Sequence, residues 1–323
     1  LTLNLCVTGM ASTSSRSAYY ESTQAHKQLN ETAKNKAESE GVKFYRTESA
    51  SHSTRNDGAR FDYDSISTFS SVASAAMQDY YNQLGMQTSF NAYSYYGHTP
   101  LTAAMFSVKY EFTDNTPSLP TNMTEIGSQT YSTGNNAAST VHLYEYNNTL
   151  PLGFMVNMST EANWNKETGN PFTTQNSFVK TAIDSDANIF HQLQTTDTVG
   201  TFTAKYQLEE DDNYKPSGDA ATYDVYFYCV TSSETLTVNI TNGSITDDNS
   251  TTKTFSSTNQ NYICHVGNVS AGSTITVTAS DGQALTTCYA YAFDNDAWET
   301  AYKLLNKNPY TVESYSDTKI TGK

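Results

Sequence analysis

A chain of 323 residues is long enough to bury its own core without a metal or a framework of disulfides. Its formal charge of −15, from 33 acidic against 18 basic side chains, excludes a binder that works by neutralising nucleic-acid phosphates. No run approaches the ~20 consecutive apolar residues that cross a bilayer as a helix. Charged residues make up only 16% of the chain and 24 tyrosines stand against 14 phenylalanines and 2 tryptophans, a palette of exterior proteins. Few leucines, many threonines and short alternating runs predict a β-rich fold. The start at Leu1, without a methionine, predicts a piece of a longer precursor.

Residues 17–40 are rich in helix formers, with Leu29, Ala33 and Ala37 on one narrow face and Gly41 as a stop, which predicts a half-exposed helix. Residues 42–48 alternate as a strand, and a polar loop follows through Asn56-Asp57-Gly58. A second helix is expected behind Ser70 or Ser71 as N-cap, with Val72, Ala75, Ala76, Tyr80 and Leu84 facing the sheet and Gly85 ending it. Gly97-His98-Thr99-Pro100 turns the chain into a short segment over 101–106, and 108–112 reads as a strand followed by a loop with Pro117 and Pro120. Residues 140–157 predict a hairpin, with strands over 141–146 and 150–156 and a turn at Asn147-Asn148. A helix is expected from near Pro171.

Beyond Thr196 the strands at 223–230, 235–240, 262–266, 273–278 and 285–293 are spaced as in an antiparallel sandwich. Residues 294–306 predict a closing helix with Trp298, Tyr302 and Leu305 on one face, and 312–320 a returning strand. The expected fold class is α+β: a mixed α/β lobe over residues 1–195, then a jelly-roll-like antiparallel sandwich over 196–323.

Cys6, Cys229, Cys264 and Cys288 include no CxxC pair and no spacing that suits structural zinc. The last three sit in alternating runs and read as buried thiols, with a Cys229–Cys264 or Cys264–Cys288 bridge left open in an oxidising location. Asp294-Asn295-Asp296 has the D-x-D form that holds metal in some sugar transferases, but a helix begins there and an N-cap explains it better. The acidic runs Glu209-Glu210-Asp211-Asp212 and Asp247-Asp248 lack the spaced ligands of a calcium loop. No motif calls for a metal or a cofactor. The six histidines show no paired spacing and no Gly-x-Ser-x-Gly elbow exists, so neither a nucleophile nor a catalytic residue is assigned. Tyr93, Tyr95, Tyr96 and His98 around a glycine turn have the composition of a sugar-stacking platform, against the plainer reading of tyrosines that line a sheet.

Several segments in order carry a resemblance. They are Phe44-Tyr45-Arg46-Thr47-Glu48, Ile66-Ser67-Thr68-Phe69-Ser70-Ser71, Leu84-Gly85, Thr99-Pro100-Leu101, Val108-Lys109-Tyr110, Leu143-Tyr144-Glu145-Tyr146-Asn147, Leu150-Pro151-Leu152-Gly153-Phe154 and Asn170-Pro171-Phe172 with Gln175-Asn176. In order and spacing, with a looser match as far as Ile320-Thr321-Gly322, the chain resembles the YfhO-type bacterial membrane proteins. The resemblance implies the exterior domain of a polytopic protein on the outer face of a Gram-positive-type cytoplasmic membrane. Such proteins are similar to transferases that move a sugar from a polyprenyl-phosphate donor to a surface polymer such as a teichoic acid. The catalytic carboxylate is then expected in membrane-proximal loops that this chain lacks, and its partners are a cell-surface glycopolymer and its own transmembrane region.

An acidic domain needs a local cationic spot to hold a polyphosphate. Arg46 is the first candidate, with Lys109 and Arg60 behind it, and the expected ligand pocket lies near Arg46, Phe69, Ser70, Tyr96 and His98. The plainer readings are an Arg46 paired with Glu48 or Asp57 and a Lys109 whose head lies in solvent. A second function class is a secreted or surface-anchored carbohydrate-binding or adhesion module with its aromatic platform on the sandwich. A free-standing hydrolase has the least support.

Overall fold

A computed structural model describes residues 16–114, 122–134, 137–197, 203–207, 222–247, 249–316 and 319–323. Cys6, Pro117, Pro120, the acidic run 209–212 and Asp248 lie outside the described residues. Helices are α1 (Arg16–Ser39), α2 (Asp57–Phe61), α3 (Ala75–Gln83), α4 (Pro100–Met105), α5 (Thr160–Asn163), α6 (Pro171–Ile183) and α7 (Asn295–Leu305). The first strands are β1 (Arg46–Ser49), β2 (Thr68–Phe69), β3 (Thr88–Ser89), β4 (Ala92–Tyr93), β5 (Val108–Thr113), β6 (Met123–Gly134) and β7 (Ala137–Tyr146). The sandwich takes β8 (Phe190–Gln192), β9 (Gln194–Asp197), β10 (Thr203–Gln207), β11 (Thr222–Thr231), β12 (Thr235–Thr241), β13 (Thr252–Ser256), β14 (Cys264–Ser270), β15 (Thr274–Ala279) and β16 (Leu285–Phe293). A hairpin of β17 (Val312–Ser316) and β18 (Lys319–Gly322) closes the chain. The class is α+β.

The first lobe is built on a mixed sheet in the order β1-β5-β7-β6, parallel at β1–β5 and antiparallel elsewhere. Helix α1 covers one face. Its Leu29, Ala33 and Ala37 are buried against Tyr110, Phe112, Val141 and Leu143, so the i,i+4 stripe does what its spacing predicts. Two expectations are corrected here. The second helix starts behind Ser74, whose Oγ accepts from the Met77 amide, and Val72 lies outside it at 88% exposure. Ala75 and Ala76 are also exposed, and the buried contacts come from Tyr81 and Leu84. The 140–157 hairpin is corrected too. Strand β7 pairs with β6 and β5, whereas 150–156 forms no strand: Leu150 is buried, Gly153 O accepts from Tyr310 N at 2.8 Å and Met155 is exposed.

In the sandwich a five-stranded sheet, β13-β12-β15-β10-β9, faces a four-stranded one, β14-β11-β16-β8. Strand β11 is buried on both faces. Tyr223, Val225, Phe227 and Cys229 enter the inter-sheet core with Leu236, Val238, Val266 and Val277, while Tyr226 and Tyr228 meet the helices. There Phe172 and Val179 of α6 and Trp298 and Leu305 of α7 complete a second core with Tyr291 and Phe293. Asp294 caps α7, its Oδ1 accepting from Ala297 N at 2.9 Å.

The cysteine expectation is corrected. Cys229 and Cys288 are direct register partners on β11 and β16 and form a disulfide, their Cα atoms 4.1 Å apart; Cys264 is free and buried. Burial raises the Cys264 thiol pKa far above its ordinary value.

The two lobes meet along a backbone seam. Ile263 N donates to Gly85 O at 2.8 Å, and Arg55 Nη2 donates to Gln87 Oε1 at 3.0 Å and to Gln260 Oε1 at 2.9 Å. Gly85 has φ +80°, and a Cβ there would lie 2.6 Å from Ile263 Cδ1. At Gly97, φ +85°, a Cβ would overlap the Gly85 carbonyl, so both positions need glycine for conformation and for space.

Candidate functional site

Period-two alternation on β5 decides where its carboxylate goes. Tyr110 and Phe112 pack toward α1, so Glu111 between them projects to the opposite face, toward the sandwich. Its Oε2 accepts from Tyr95 Oη at 3.0 Å and Tyr146 Oη at 2.7 Å, and His98 Nε2 lies 3.4 Å away. His98 is set by the Gly97 turn, stacked on Tyr95 with ring centroids 3.9 Å apart. On the sandwich side the alternation of β11 turns Asp224 and Tyr226 away from the inter-sheet core. Asp224 Oδ1 lies 2.6 Å from His265 Nε2, and His265 stacks on Tyr226 at 4.4 Å.

His98 with Glu111 from one lobe and His265 from the other line a cavity of about 380 Å³, and Asp224 stands behind His265. Tyr96, Tyr262, Phe255 and Lys253 complete its polar and aromatic wall. The Tyr96 hydroxyl accepts from His52 N at 3.0 Å, and its ring lies 6.2 Å from that of Tyr262. Burial pushes the hydroxyls of Tyr96, Tyr226 and Tyr262 above their ordinary range, which keeps them protonated. Burial also holds His98 below the usual imidazole value; Glu111 opposes this and His265 adds to it. The cavity thus presents aromatic faces, neutral hydroxyls and the Glu111 carboxylate, a set suited to stack on the C–H face of a sugar and bond its hydroxyls.

The residues expected from sequence do not gather in one pocket. Tyr96 and His98 line the inter-lobe cavity. Phe69, 55% exposed, and Ser70 lie at the β2 edge, where Ser70 N donates to Asn91 O. Arg46 Nη1 donates to Phe106 O at 2.6 Å with its guanidinium 4.9 Å over the Phe44 ring, and burial lowers its pKa. Lys109 pairs with Glu40 at 3.0 Å and Glu145 at 2.6 Å, and Arg60 bonds Thr23 and Tyr19. Of the expected tyrosine platform only Tyr96 and His98 reach the cavity, since Tyr95 is fully buried and Tyr93 packs on Tyr81. Sequence reasoning missed Glu111, Asp224, Lys253, Phe255, Tyr262 and His265. They come from four strands and a loop in both lobes, and only the alternation around Glu111 and Asp224 hinted that those carboxylates leave the core.

Ser67, His52 and Glu48 also converge, but not as a nucleophilic triad. Ser67 Oγ donates to Glu48 Oε2 at 3.0 Å and accepts from Tyr95 N at 2.9 Å. Glu48 and Ser67 meet His52 through the same Nε2, at 3.3 and 3.2 Å, so no acid orients the ring from its other nitrogen. Glu48 further accepts from Ser65 Oγ and the amides of Ile66 and Ser67, and so anchors the 65–67 loop. Among the described residues no three His, Cys, Asp or Glu side chains gather as metal ligands.

The family model described as "Bacterial membrane protein YfhO" matches residues 1–323. No curated protein and no solved structure matches the chain. No helix among the described residues is long and apolar enough to cross a membrane. With its whole length matched, the chain belongs to the YfhO family of bacterial membrane proteins.

Proposed function

We propose that this chain is the exterior domain of a glycosyltransferase-like membrane protein, and that it recognises or positions a cell-surface glycopolymer acceptor, of the teichoic acid type, without performing the transfer. The observation that carries this reading is the inter-lobe cavity, where aromatic rings, tyrosine hydroxyls, the Glu111 carboxylate and the imidazoles of His98 and His265 converge from both lobes. Tyr96 and His98 are its contact residues, and Lys253 supplies the local positive charge that a phosphate-bearing polymer needs in a domain of charge −15. In this reading the mixed lobe and the sandwich, which begins at β8 rather than at residue 196, act as the two jaws of the site. Family membership supports the link to a bacterial membrane, and the Cys229–Cys288 disulfide suits its oxidising outer side.

The test is calorimetric titration of the domain with short glycerol-phosphate and ribitol-phosphate oligomers bearing sugar substituents. Binding that weakens about tenfold in Tyr96→Ala, with a cooperative melt that shows the variant still folded, is the expected result. Absence of binding, or equal affinity in the variant, sinks the reading. The second class, a secreted or anchored carbohydrate-binding module, draws on Tyr226, Phe255 and Tyr262, which all come from the sandwich. Fractionation of native cells separates the two, because only the first predicts a band far above 35.6 kDa that detergent alone releases.

A further inference from the structure

The geometry points to a second carbohydrate site, a groove on the mixed lobe that takes a neutral glycan chain. The groove encloses about 1030 Å³, at the top of the ~300–1,000 Å³ usual for small-molecule pockets, and shares no lining residue with the inter-lobe cavity. Helix α1 supplies Asn30 and Lys34, the approach to β1 supplies Phe44, the α2–β2 connection supplies Tyr63, and β17 supplies Tyr315.

Two buried polar atoms of this lining have no partner within the protein. Asn30 is 1% exposed and its Nδ2 donates to the Asp62 carbonyl, which fixes the amide orientation and leaves Oδ1 as a buried acceptor with nothing bound to it. The Tyr63 hydroxyl is likewise buried without a partner, and burial holds its pKa well above the ordinary range, so it stays an O–H group. An unmet buried acceptor is costly, and a ligand donor that reaches it through a small opening of the groove wall removes that cost. Hydroxyl-rich sugars bring many.

The walls suit a sugar ring. Tyr315, 40% exposed, offers the stacking ring, and Phe44, its own ring under the Arg46 guanidinium, supports it edge to face with centroids 5.1 Å apart. The charge of the lining selects against a polyanion. Lys34 is taken up by Glu31 and Asp62 at 3.0 and 3.1 Å, and Glu38, Asp62 and Asp64 outnumber Lys34 and Lys43. The groove is therefore chemically unlike the inter-lobe cavity with its lysine and histidines, and the inference goes beyond the function proposed for that cavity.

Chitotriose, a neutral trimer of N-acetylhexosamine with both hydroxyl and amide donors, is the probe. The 323-residue chain is titrated by calorimetry, and crystals are soaked with the same sugar. The expected result is sugar density along the groove, with affinity about tenfold weaker in Tyr315→Ala and in Asn30→Ala. If Asn30→Ala fails to fold, Tyr315→Ala at the rim decides alone. Wild-type affinity in Tyr315→Ala, density confined to the inter-lobe cavity, or no binding at millimolar sugar overturns the inference. Density confined to the inter-lobe cavity would leave the function proposed there standing, and loss of phosphate-polymer binding in Tyr96→Ala would leave the groove untouched.

Discussion

Glu48 and Glu111 are register partners on β1 and β5, two carboxylates at 0% and 2% exposure side by side on one sheet. Each is matched by donors from a different quarter: the 65–67 loop and His52 for Glu48, two tyrosine hydroxyls and His98 for Glu111. Removing Glu48 leaves several buried donors without an acceptor, so Glu48→Ala should lower unfolding stability by about 3 kcal/mol in urea titration. The imidazoles give stability a pH dependence of definite sign. Burial lowers both His26, stacked on Phe61 at 4.0 Å, and His98 below the ordinary value of 6.5. The unfolded chain then takes up these protons at higher pH than the folded one. The histidine contribution is present above pH 6.5 and is lost as pH falls through the depressed folded values. Chemical denaturation between pH 7 and 5 should show stability falling, and His26→Phe, which keeps a ring against Phe61, should flatten that fall; a steeper slope in the variant would contradict the assignment.

Elements that carry an apolar stripe and a cap were legible before any coordinates. Helix α7 shows why, since Asp294 caps it and the expected face with Trp298 and Leu305 is buried. Asp294→Ala should cost about 1 kcal/mol in thermal or urea melts, and Asp294→Asn less, because the amide oxygen still accepts from Ala297. Burial works to raise the Asp294 pKa but is outweighed by His191 and the Ala297 amide, so the carboxyl sits below its usual range and its contribution fades only in strong acid. Strand β6 was not legible. Its sequence, MTEIGSQTYSTG, is polar on both faces, and α1 closes over it with Leu29 reaching Gly127. The apolar run at 150–156 misled in the other direction, because Pro151 and Gly153 sit where Leu150 anchors a loop. The candidate site was legible only at Tyr96 and His98. Its other walls come from β5, β11, β13, β14 and the turn before β14, and juxtaposition across a lobe seam leaves no spacing in a sequence.

At the scale of the molecule, the same limit applies to Cys229 and Cys288, which lie 59 residues apart and become neighbours only through antiparallel register. Replacing both with serine should lower stability by roughly 2–4 kcal/mol, and a reductant should bring the unaltered chain to a similar value. Cys264 should resist a maleimide in the folded protein and react on unfolding, as peptide mapping would show. The seam between the lobes has a different outcome. Gly85 and Gly97 bring backbone against Ile263 with no room for a Cβ, and Arg55 spans from Gln87 to Gln260. Hinges depend on slack, and the contacts at Gly85 and Gly97 leave no room for even one added methyl group. In the function proposed above, the mouth between the jaws works as a fixed gauge, and a polymer would be sorted there by its girth and branching.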